Sequence, residues 1–288
     1  MATKKSRFSS WLFLVPAGII YISVVITPVI YSTVVSLFRW NGISQMEFVG
    51  LNNFINLFQD PVFLKAVSNN LIWVCLSLFG TMTFSLGLAV MLNKHFIGRT
   101  FFRGFFYFPA VIAGIAVAMT WRWIYNPGFG FINQTLALLN INFQQNWLAS
   151  TNVGIYAIFG AALWQSAGQP MIFFLAGLQT VPVEVLEAAV IDGASNTRRF
   201  FFIIIPMMKE TFVIVIANLI IGSMRVFDIV MGLTGGGPND ATQMMATYMQ
   251  TQTFRYNNVG YGAAIAVLMV VFMMVVIVPY LRITAGKE

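Results

Sequence analysis

Charged residues are scarce in this chain. Asp, Glu, Lys and Arg together make up 9% of its 288 residues, whereas 58% of the residues are hydrophobic. A soluble domain carries about 25% charged residues, so this sequence has too little polar surface to cover a globule in water. Soluble, disordered and nucleic-acid-binding proteins are therefore excluded, and the length allows several bilayer-spanning helices of about 20 apolar residues each.

Residues that support metal and redox chemistry are also rare. The sequence has one cysteine, Cys75, and one histidine, His95, which excludes an intrachain disulfide and a cysteine metal cage. It contains no GxxxxGK[ST] motif, so we do not expect the chain to bind ATP through a phosphate-binding loop. A membrane enzyme would need a nucleophile and a base, and no convincing pair is present.

Six apolar stretches are each long enough to cross a bilayer. They are Trp11–Leu37, Asn70–Leu92, Phe102–Trp123, Val153–Leu178, Thr211–Leu233 and Tyr261–Leu281. Backbone polar groups in lipid must be paired within the segment, so we expect each stretch to be a helix. The predicted fold is all-α, a polytopic membrane protein with six transmembrane helices.

The basic residues are unevenly distributed between the predicted loops. If both termini are cytoplasmic, the outer segments contain three basic residues, which are Arg39, Lys65 and Arg255. The inner segments then contain Lys4, Lys5, Arg7, Lys94, Arg99, Arg103, Arg198, Arg199, Lys209, Arg282 and Lys287. Inner loops of membrane proteins are enriched in Lys and Arg, so this pattern predicts cytoplasmic termini. The outer loops would be 38–69, 124–152 and 234–260, and the inner loops 93–101 and 179–210.

The inner loop 179–210 has the pattern of two short helices around a turn. Pro182 suits the first turn of a helix, and Val183–Ile191 is compatible with helix. Gly193 is a natural helix stop in the left-handed conformation, and Ser195 or Asn196 can cap the helix that follows.

One face of the first of these helices fits a groove on a partner. It is formed at three- and four-residue spacing by Glu184, Glu187, Ala188 and Ile191. The alternative is that the loop merely connects two spans, with Arg198 and Arg199 as anchors at the inner surface.

The same loop contains a specific motif. It consists of Glu187–Ala188–Ala189, Asp192–Gly193–Ala194, Phe200 or Phe201, and Pro206. At these residues the chain resembles the permease subunits of bacterial ATP-binding-cassette importers, whose cytoplasmic loop has the pattern EAA, two residues, DGA, F and proline. Three further stretches resemble the six-span, carbohydrate-importing branch of that family: Phe48–Phe54, Val226–Asp228 and Leu233–Pro238.

The resemblance implies an ABC type I importer permease fold in a bacterial inner membrane. Residues 1–65 would form the N-terminal span and the first outer loop, and residues 66–288 the core of the permease. The chain would be no enzyme and bind no cofactor. Its partners would be a second, related permease, two cytosolic ATPase subunits that use ATP and Mg²⁺, and an extracytoplasmic solute-binding protein.

The resemblance also implies which residues make contact with these partners. The first helix of the inner loop would dock into an ATPase cleft through Glu184, Glu187, Ala188, Ala189, Asp192, Gly193 and Ala194. The turn formed by Thr234, Gly235, Gly236, Gly237 and Pro238 would face the binding protein. The alternative for this turn is a flexible exit from the membrane.

Polar residues within the fourth and fifth spans are candidates for the substrate path. They are Trp164, Gln165, Gln169, Asn218, Arg225 and Asp228. A neutral sugar needs amides for its hydroxyls and an aromatic face, which Trp164, Gln165 and Gln169 would supply. The alternatives are hydrogen bonds between helices for the amides, and an ion pair or an outward-extended Arg225 for the two charges. Glycerol phosphate import and ion-coupled secondary transport are the alternative functions.

Overall fold

The computed structural model describes residues 14–141 and 145–285. Trp11–Phe13 of the first predicted span and the basic residues Lys4, Lys5, Arg7 and Lys287 lie outside these ranges. The described residues form two compact units. The first unit runs up to Pro61 and includes Tyr248–Val271, and the second unit contains Val62–Thr247 and the residues from Phe272.

The described chain is almost entirely helical. In chain order, the helices are α1 (Leu14–Val35), α2 (Asn52–Gln59), α3 (Pro61–Asn93), α4 (Arg99–Val111), α5 (Gly114–Ile124), α6 (Phe131–Leu138), α7 (Gly154–Ser166), α8 (Gly168–Gln179), α9 (Val183–Ile191), α10 (Asn196–Met207), α11 (Lys209–Met224), α12 (Asp228–Leu233), α13 (Met245–Gln250) and α14 (Val259–Ala285). Two short strands, β1 (Phe38–Arg39) and β2 (Glu47–Phe48), pair antiparallel between α1 and α2. The all-α prediction was wrong only for this hairpin.

Three helices in the described ranges, α1, α3 and α14, are individually long and apolar enough to cross a membrane. Each of three helix pairs is bent at a short break, by 100° between α4 and α5, 68° between α8 and α9, and 72° between α10 and α11. The number of candidate spans rises to six if each bent pair counts as one. The protein is therefore a polytopic membrane protein whose chain is repeatedly interrupted.

The third predicted span, Phe102–Trp123, is a bent pair of helices, so the prediction of one continuous helix was wrong. The last turn of α4, Phe108–Val111, is a 3₁₀ turn that contains Pro109, which has no N–H to donate. The carbonyl of Ile112 at the bend accepts a hydrogen bond of 2.8 Å from the Gln165 side-chain amide. A side chain from another helix thus pairs a backbone group that the bend releases.

The second span begins at Pro61, nine residues before the predicted start at Asn70, so the predicted outer loop 38–69 was wrong over its last part. The polar pair Asn69 and Asn70 suggests a loop in the sequence, but both residues are 1% exposed. Farther along the same helix, Ser77–Thr81 forms a π-helical turn, which contains one more residue than an α-helical turn.

Two clusters of buried side chains form the core of the second unit. One cluster joins α3, α5, α7 and α12 around Trp73, Val117, Ile158 and Val230. The other joins α3, α8 and α11 around Ala89, Met171, Phe174 and Val215. These clusters hold the interrupted helices against one another where their backbone is irregular.

In the first unit, the β-hairpin is held by α2 and by the start of α14. The side-chain amide of Asn53 donates to the carbonyls of Ser36 (2.8 Å) and Phe38 (2.9 Å), and the N–H of Gly260 donates to the Trp40 carbonyl at 3.1 Å. A Cβ atom at Gly260 would collide with the Phe38 carbonyl oxygen. Glycine at the start of α14 therefore lets the helix lie directly against β1.

The close packing of α8 on the end of α4 predicts that Gly168→Ala destabilises the protein. A Cβ atom at Gly168 would lie 2.6 Å from the Phe106 carbonyl oxygen and 2.7 Å from the Tyr107 Cα, and neither backbone atom can rotate away. Overpacking of this kind costs about 1–3 kcal/mol. We expect a lower thermal midpoint for the purified transporter in detergent, measured by a tryptophan-fluorescence melt.

Gly87→Ala is the matched control, because this glycine also lies within a helix but has nothing within 4 Å of its added Cβ. Alanine is the better helix former, so the midpoint should stay or rise. Equal losses for both variants would mean that the α4–α8 contact is not the cause.

Candidate functional site

A cavity of about 320 Å³ lies in the second compact unit, where α7, α8, α11 and α12 approach one another. Five of the six residues predicted for the substrate path line it: Gln165, Gln169, Asn218, Arg225 and Asp228. Asn218, Gly222 and Arg225, spaced four and three residues apart, line the same cavity.

Most of this polar lining is available to a solute. Gln169, Asn218, Arg225 and Asp228 are all exposed, and their side chains make no hydrogen bond to any other described residue. Among the described residues, one ion pair is closer than 4.0 Å, and it joins Arg39 and Glu47 and not Arg225 and Asp228. The alternative of a structural ion pair between Arg225 and Asp228 was therefore wrong.

The two charges do not lie on one continuous helix, as the predicted span Thr211–Leu233 would require. Helix α11 ends at Met224, and α12 begins at Asp228. The carboxylate of Asp228 lies beside the start of α5, where a Cβ atom at Gly114 would be 3.5 Å from its Oδ2. The N-terminal end of a helix carries partial positive charge, which favours a carboxylate at this position.

Gln165 has a structural role in addition to lining the cavity. Its amide N–H donates to the Ile112 carbonyl at the bend between α4 and α5, so part of its hydrogen-bonding capacity is already used. The alternative prediction, that the Gln165 amide forms a hydrogen bond between helices, is therefore confirmed for its Nε2 atom.

Trp164 does not line this cavity, so the prediction that its ring supplies an aromatic face for the sugar was wrong. Its indole packs on Trp121 with ring centroids 6.1 Å apart and lines a separate apolar pocket with Phe105, Phe106 and Phe108. The aromatic rings that do line the cavity are Trp73 and Phe227.

The sequence analysis also missed three serines of the cavity wall. Ser166 precedes the break between α7 and α8, and Ser77 and Ser223 lie 3.1 Å apart through their hydroxyl oxygens. Serines are common in membrane spans, and nothing in their local sequence separates these three from the others. Their position becomes visible only when α3, α7 and α11 are packed together.

The asparagine pair of α3 connects the end of α11 to the segment 241–245. The Asn69 amide donates to the carbonyls of Ala241 (2.9 Å) and Gln243 (2.8 Å). The Asn70 amide donates to the Ser223 carbonyl at 2.9 Å, and its side-chain oxygen accepts from the Met245 N–H at 2.9 Å. These bonds hold the edge of the cavity beside Ser223.

The inner loop has the predicted helix–turn–helix form. Helix α9 spans Val183–Ile191, Gly193 has φ +77°, and Ser195 caps α10 by accepting from the Arg198 N–H at 3.3 Å. The Gly193 N–H donates to Val190 and the Ala194 N–H to Ala189, which is the Schellman arrangement of a helix end. Pro182 lies just before the first helical residue.

The predicted contact residues of α9 lie on different sides of the helix. Glu184, Glu187 and Ala188 are exposed, together with Asp192 and Gly193 beyond the helix end. Ala189 is 7% exposed and lies on the opposite side, with Leu186 packed on the core of the protein. Ile191 is 86% exposed, which gives the outward surface an aliphatic as well as an acidic character.

The turn Thr234–Pro238 is held by side chains. The hydroxyls of Thr234 and Thr242 lie 2.7 Å apart, and the Thr242 hydroxyl also donates to the Gly237 carbonyl at 2.7 Å. Arg122 donates to the carbonyls of Gly232 and Leu233 at the end of α12. These hydrogen bonds argue against the alternative of a flexible exit from the membrane, although Gly235 is exposed and Pro238 half-buried.

The loop predicted over 234–260 is also more buried than the sequence suggested. Residues 241–248 are buried, and they include the polar side chains of Thr242, Gln243 and Thr247. Gln243 and Thr247 hydrogen-bond to each other at 2.5 Å, so their polar atoms are paired inside the protein.

The two neighbouring glycines of the turn should differ in their tolerance of alanine. Gly235 has φ +62° and no atom within 4 Å of an added Cβ, whereas Gly236 has φ +92° and an added Cβ would lie 2.6 Å from Gln243 Cδ. We expect Gly236→Ala to lower the thermal midpoint more than Gly235→Ala, because it adds a clash to the backbone strain. Equal effects would mean that strain alone governs the turn.

Comparison with known proteins identifies the family. The family model for inner membrane components of binding-protein-dependent transport systems matches residues 78–285. A probable ABC transporter permease of Pyrococcus horikoshii is 34% identical over 94% of this chain and 93% of that protein. The multiple sugar-binding transport system permease MsmF of Streptococcus mutans is 30% identical, with 98% of this chain and 97% of that protein covered.

The fold is also similar to that of a solved transporter. A chain in the crystal structure of a bacterial alginate ABC transporter, in complex with an alginate pentasaccharide-bound periplasmic protein, matches with a TM-score of 0.86. The match covers 99% of this chain and 97% of that chain at 20% sequence identity, which is evidence of a shared fold. The chain therefore belongs to the inner-membrane components of binding-protein-dependent transport systems, as a non-catalytic ABC importer permease whose ATPase partner uses ATP.

Proposed function

We propose that this permease carries a mono- or oligosaccharide across the membrane by alternating access, after delivery by an extracytoplasmic binding protein. The single observation that carries the proposal is the cavity of about 320 Å³ at the helix breaks, with unpaired amide and charged side chains on its wall. Polar groups are costly in a span, so four that hydrogen-bond to no other described residue are best explained by a polar solute.

The lining fits a neutral sugar better than an anion. Gln169 and Asn218 supply amide donors and acceptors for hydroxyl groups, and Trp73 and Phe227 supply aromatic surface. The formal charges of Arg225 and Asp228 cancel, so the wall has no excess positive charge to select glycerol phosphate. The sugar named for MsmF supports a carbohydrate.

We propose that the chain crosses the membrane six times, with both termini cytoplasmic and the type I importer arrangement. The spans are α1, α3, the bent pair α4–α5, α7 with α8, α11 with α12, and α14, whereas α9 and α10 form the inner loop. The distribution of basic residues between the loops supports this orientation. The N-terminal segment 1–65 would then precede a permease core over 66–288. A second, related permease and two ATPase subunits would complete the complex.

The inner loop 179–210 would transmit the motion of the ATPase. Helix α9 has an exposed face with Glu184, Glu187 and Ala188. On its opposite face, Leu186 packs on the core and Ala189 is buried. A partner that grips the exposed face can therefore move the helices behind it. The ATPase changes the preferred state of the permease only if its contacts with α9 differ between the inward-open and outward-open states.

Glu187→Lys should abolish ATP-driven sugar uptake, because it reverses the charge at the centre of the exposed face of α9. Membrane insertion should stay normal, since the Glu187 side chain is exposed. The measurement is uptake of radiolabelled sugar into proteoliposomes that contain the complete transporter and ATP.

Glu210→Lys is the matched control, because it makes the same charge reversal at an exposed residue of α11 outside the docking face. It should transport at close to the wild-type rate. Normal uptake by the Glu187→Lys protein would contradict the docking role of α9.

Replacing Gln169 and Asn218 together by alanine should reduce sugar transport by about tenfold, since each lost hydrogen bond to a sugar is worth about 0.5–1.5 kcal/mol. Basal ATPase activity should change little, because neither side chain contacts another described residue through a hydrogen bond. The control is Gln134→Ala on α6, outside the cavity. Equal loss of transport and basal ATPase activity would indicate a packing role instead.

A further inference from the structure

A second cavity, of about 540 Å³, lies entirely within the first compact unit. We call it the outer pocket, because its wall comes from the β-hairpin, α2, the segment before α14 and the start of α14. All of its lining residues except Tyr261 belong to the predicted outer loops. Its volume is in the range of small-molecule sites, about 300–1,000 Å³. The translocation cavity described above lies in the other unit, so the two share no residue.

The wall of the outer pocket has an unusual composition. Among the described residues, no aliphatic side chain lines it. Each of these lining residues has a polar or charged side chain or a ring with a polar atom, among them Trp40, Gln45, Asn56, Asp60, Asn258 and Tyr261. Pockets for apolar ligands are lined mainly by hydrophobic side chains, so this wall is unsuited to a lipid tail or another apolar molecule.

The two aromatic rings of the wall are held in place by hydrogen bonds. The indole N–H of Trp40 donates to the Ser44 carbonyl at 2.9 Å. The Tyr261 hydroxyl donates to Asp60 Oδ2 at 2.9 Å, and Tyr248 donates to the same oxygen. Burial and the neighbouring Asp60 raise the pKa of Tyr248, so its hydroxyl stays protonated and keeps donating. Both ring faces are therefore fixed before any ligand arrives.

Two side-chain amides at the pocket hydrogen-bond to no other residue in the described part of the chain. The side chains of Gln45 and Asn56 line the wall, are exposed, and make no hydrogen bond to another described residue. Each amide offers both donors and an acceptor, which matches a hydroxyl group that also donates and accepts. Rings that offer an apolar face and amides that pair with hydroxyls form the recognition chemistry of a carbohydrate.

The charges of the wall favour a ligand without negative charge. Arg39 is paired with Glu47 at 3.3 Å, and Asp60 adds a further carboxylate. The formal charge of the lining is thus −1, which disfavours phosphates and uronic acids.

We propose that the outer pocket is a binding site for a neutral saccharide. This inference rests on the proposed function, because it takes the transported solute to be a sugar, and it assigns that sugar a second site on the outer loops. Such a site would hold sugar at the permease without the binding protein being present. A loop of the binding protein is the competing occupant, and the experiment below separates the two.

The test measures how fast a cysteine in the pocket reacts with a maleimide. In the complete transporter, purified in nanodiscs and carrying Cys75→Ala, Asn56→Cys places the reactive group on the wall. Gln59→Cys is the matched control, because it lies on the same helix α2 but does not line the pocket. Maltose, trehalose and lactose are added singly, without binding protein.

We expect at least one of these neutral disaccharides to slow labelling of Asn56→Cys and to leave Gln59→Cys unchanged. At a sugar concentration about ten times Kd, roughly nine tenths of the sites are occupied, so the rate should fall about tenfold. Digalacturonate should protect less, because of the negative wall. Adding Trp40→Ala to Asn56→Cys should remove the protection.

Gln45→Cys is a second reporter, which keeps the Asn56 amide in case that amide is essential for binding. Absence of protection at both reporters, or equal protection at Gln59→Cys, would overturn the proposal. Protection that requires the binding protein would also overturn it and would assign the pocket to protein docking. Stimulation of ATPase activity by sugar and binding protein tests the proposed function separately. If a transported sugar protects neither reporter, the outer site is refuted and the proposed function is not.

Discussion

The structure depends on pairing the backbone groups that its interrupted helices release. A bend or break in a span leaves N–H and C=O groups without their partners one turn away, and lipid offers none. Here side chains from other helices take that role: Gln165 pairs the Ile112 carbonyl at the bend before α5, and Ser85 donates at 2.8 Å to the Ala167 carbonyl between α7 and α8. Asn69 and Asn70 do the same for the segment 241–245.

The polar residues of the spans therefore fall into two classes. Residues of the first class, such as Asn69, Asn70 and Ser85, are buried and use their polar atoms on backbone groups. Residues of the second class, Gln169 and Asn218, face the cavity with their polar atoms unpaired. Asparagine occurs in both classes, so the residue type alone does not show whether a polar group serves the fold or remains available to a solute.

The same distinction explains what could be predicted from the sequence. The form of the inner loop follows from local signals, because Gly193 and Ser195 act within a few residues of where they stand. The early start of α3 could not be predicted, since Asn69 finds its partners at residues 241 and 243, far along the chain. Trp164 was misassigned because the direction of a side chain near a helix break depends on that break.

The π-helical turn at Ser77–Thr81 shows how finely these long-range pairs depend on chain length. This wider turn absorbs one extra residue, so the parts of α3 on either side of it keep their relative orientation. A residue deleted between Asn70 and Ser77, in regular α-helix, would instead turn the part that carries Asn69 and Asn70 by about 100°. Asn69 and Asn70 would then face away from Ser223 and the 241–245 segment, although neither had been mutated. Single-residue insertions and deletions in this part of α3, between Asn70 and Ser77, should therefore be tolerated far less well than substitutions of its apolar side chains.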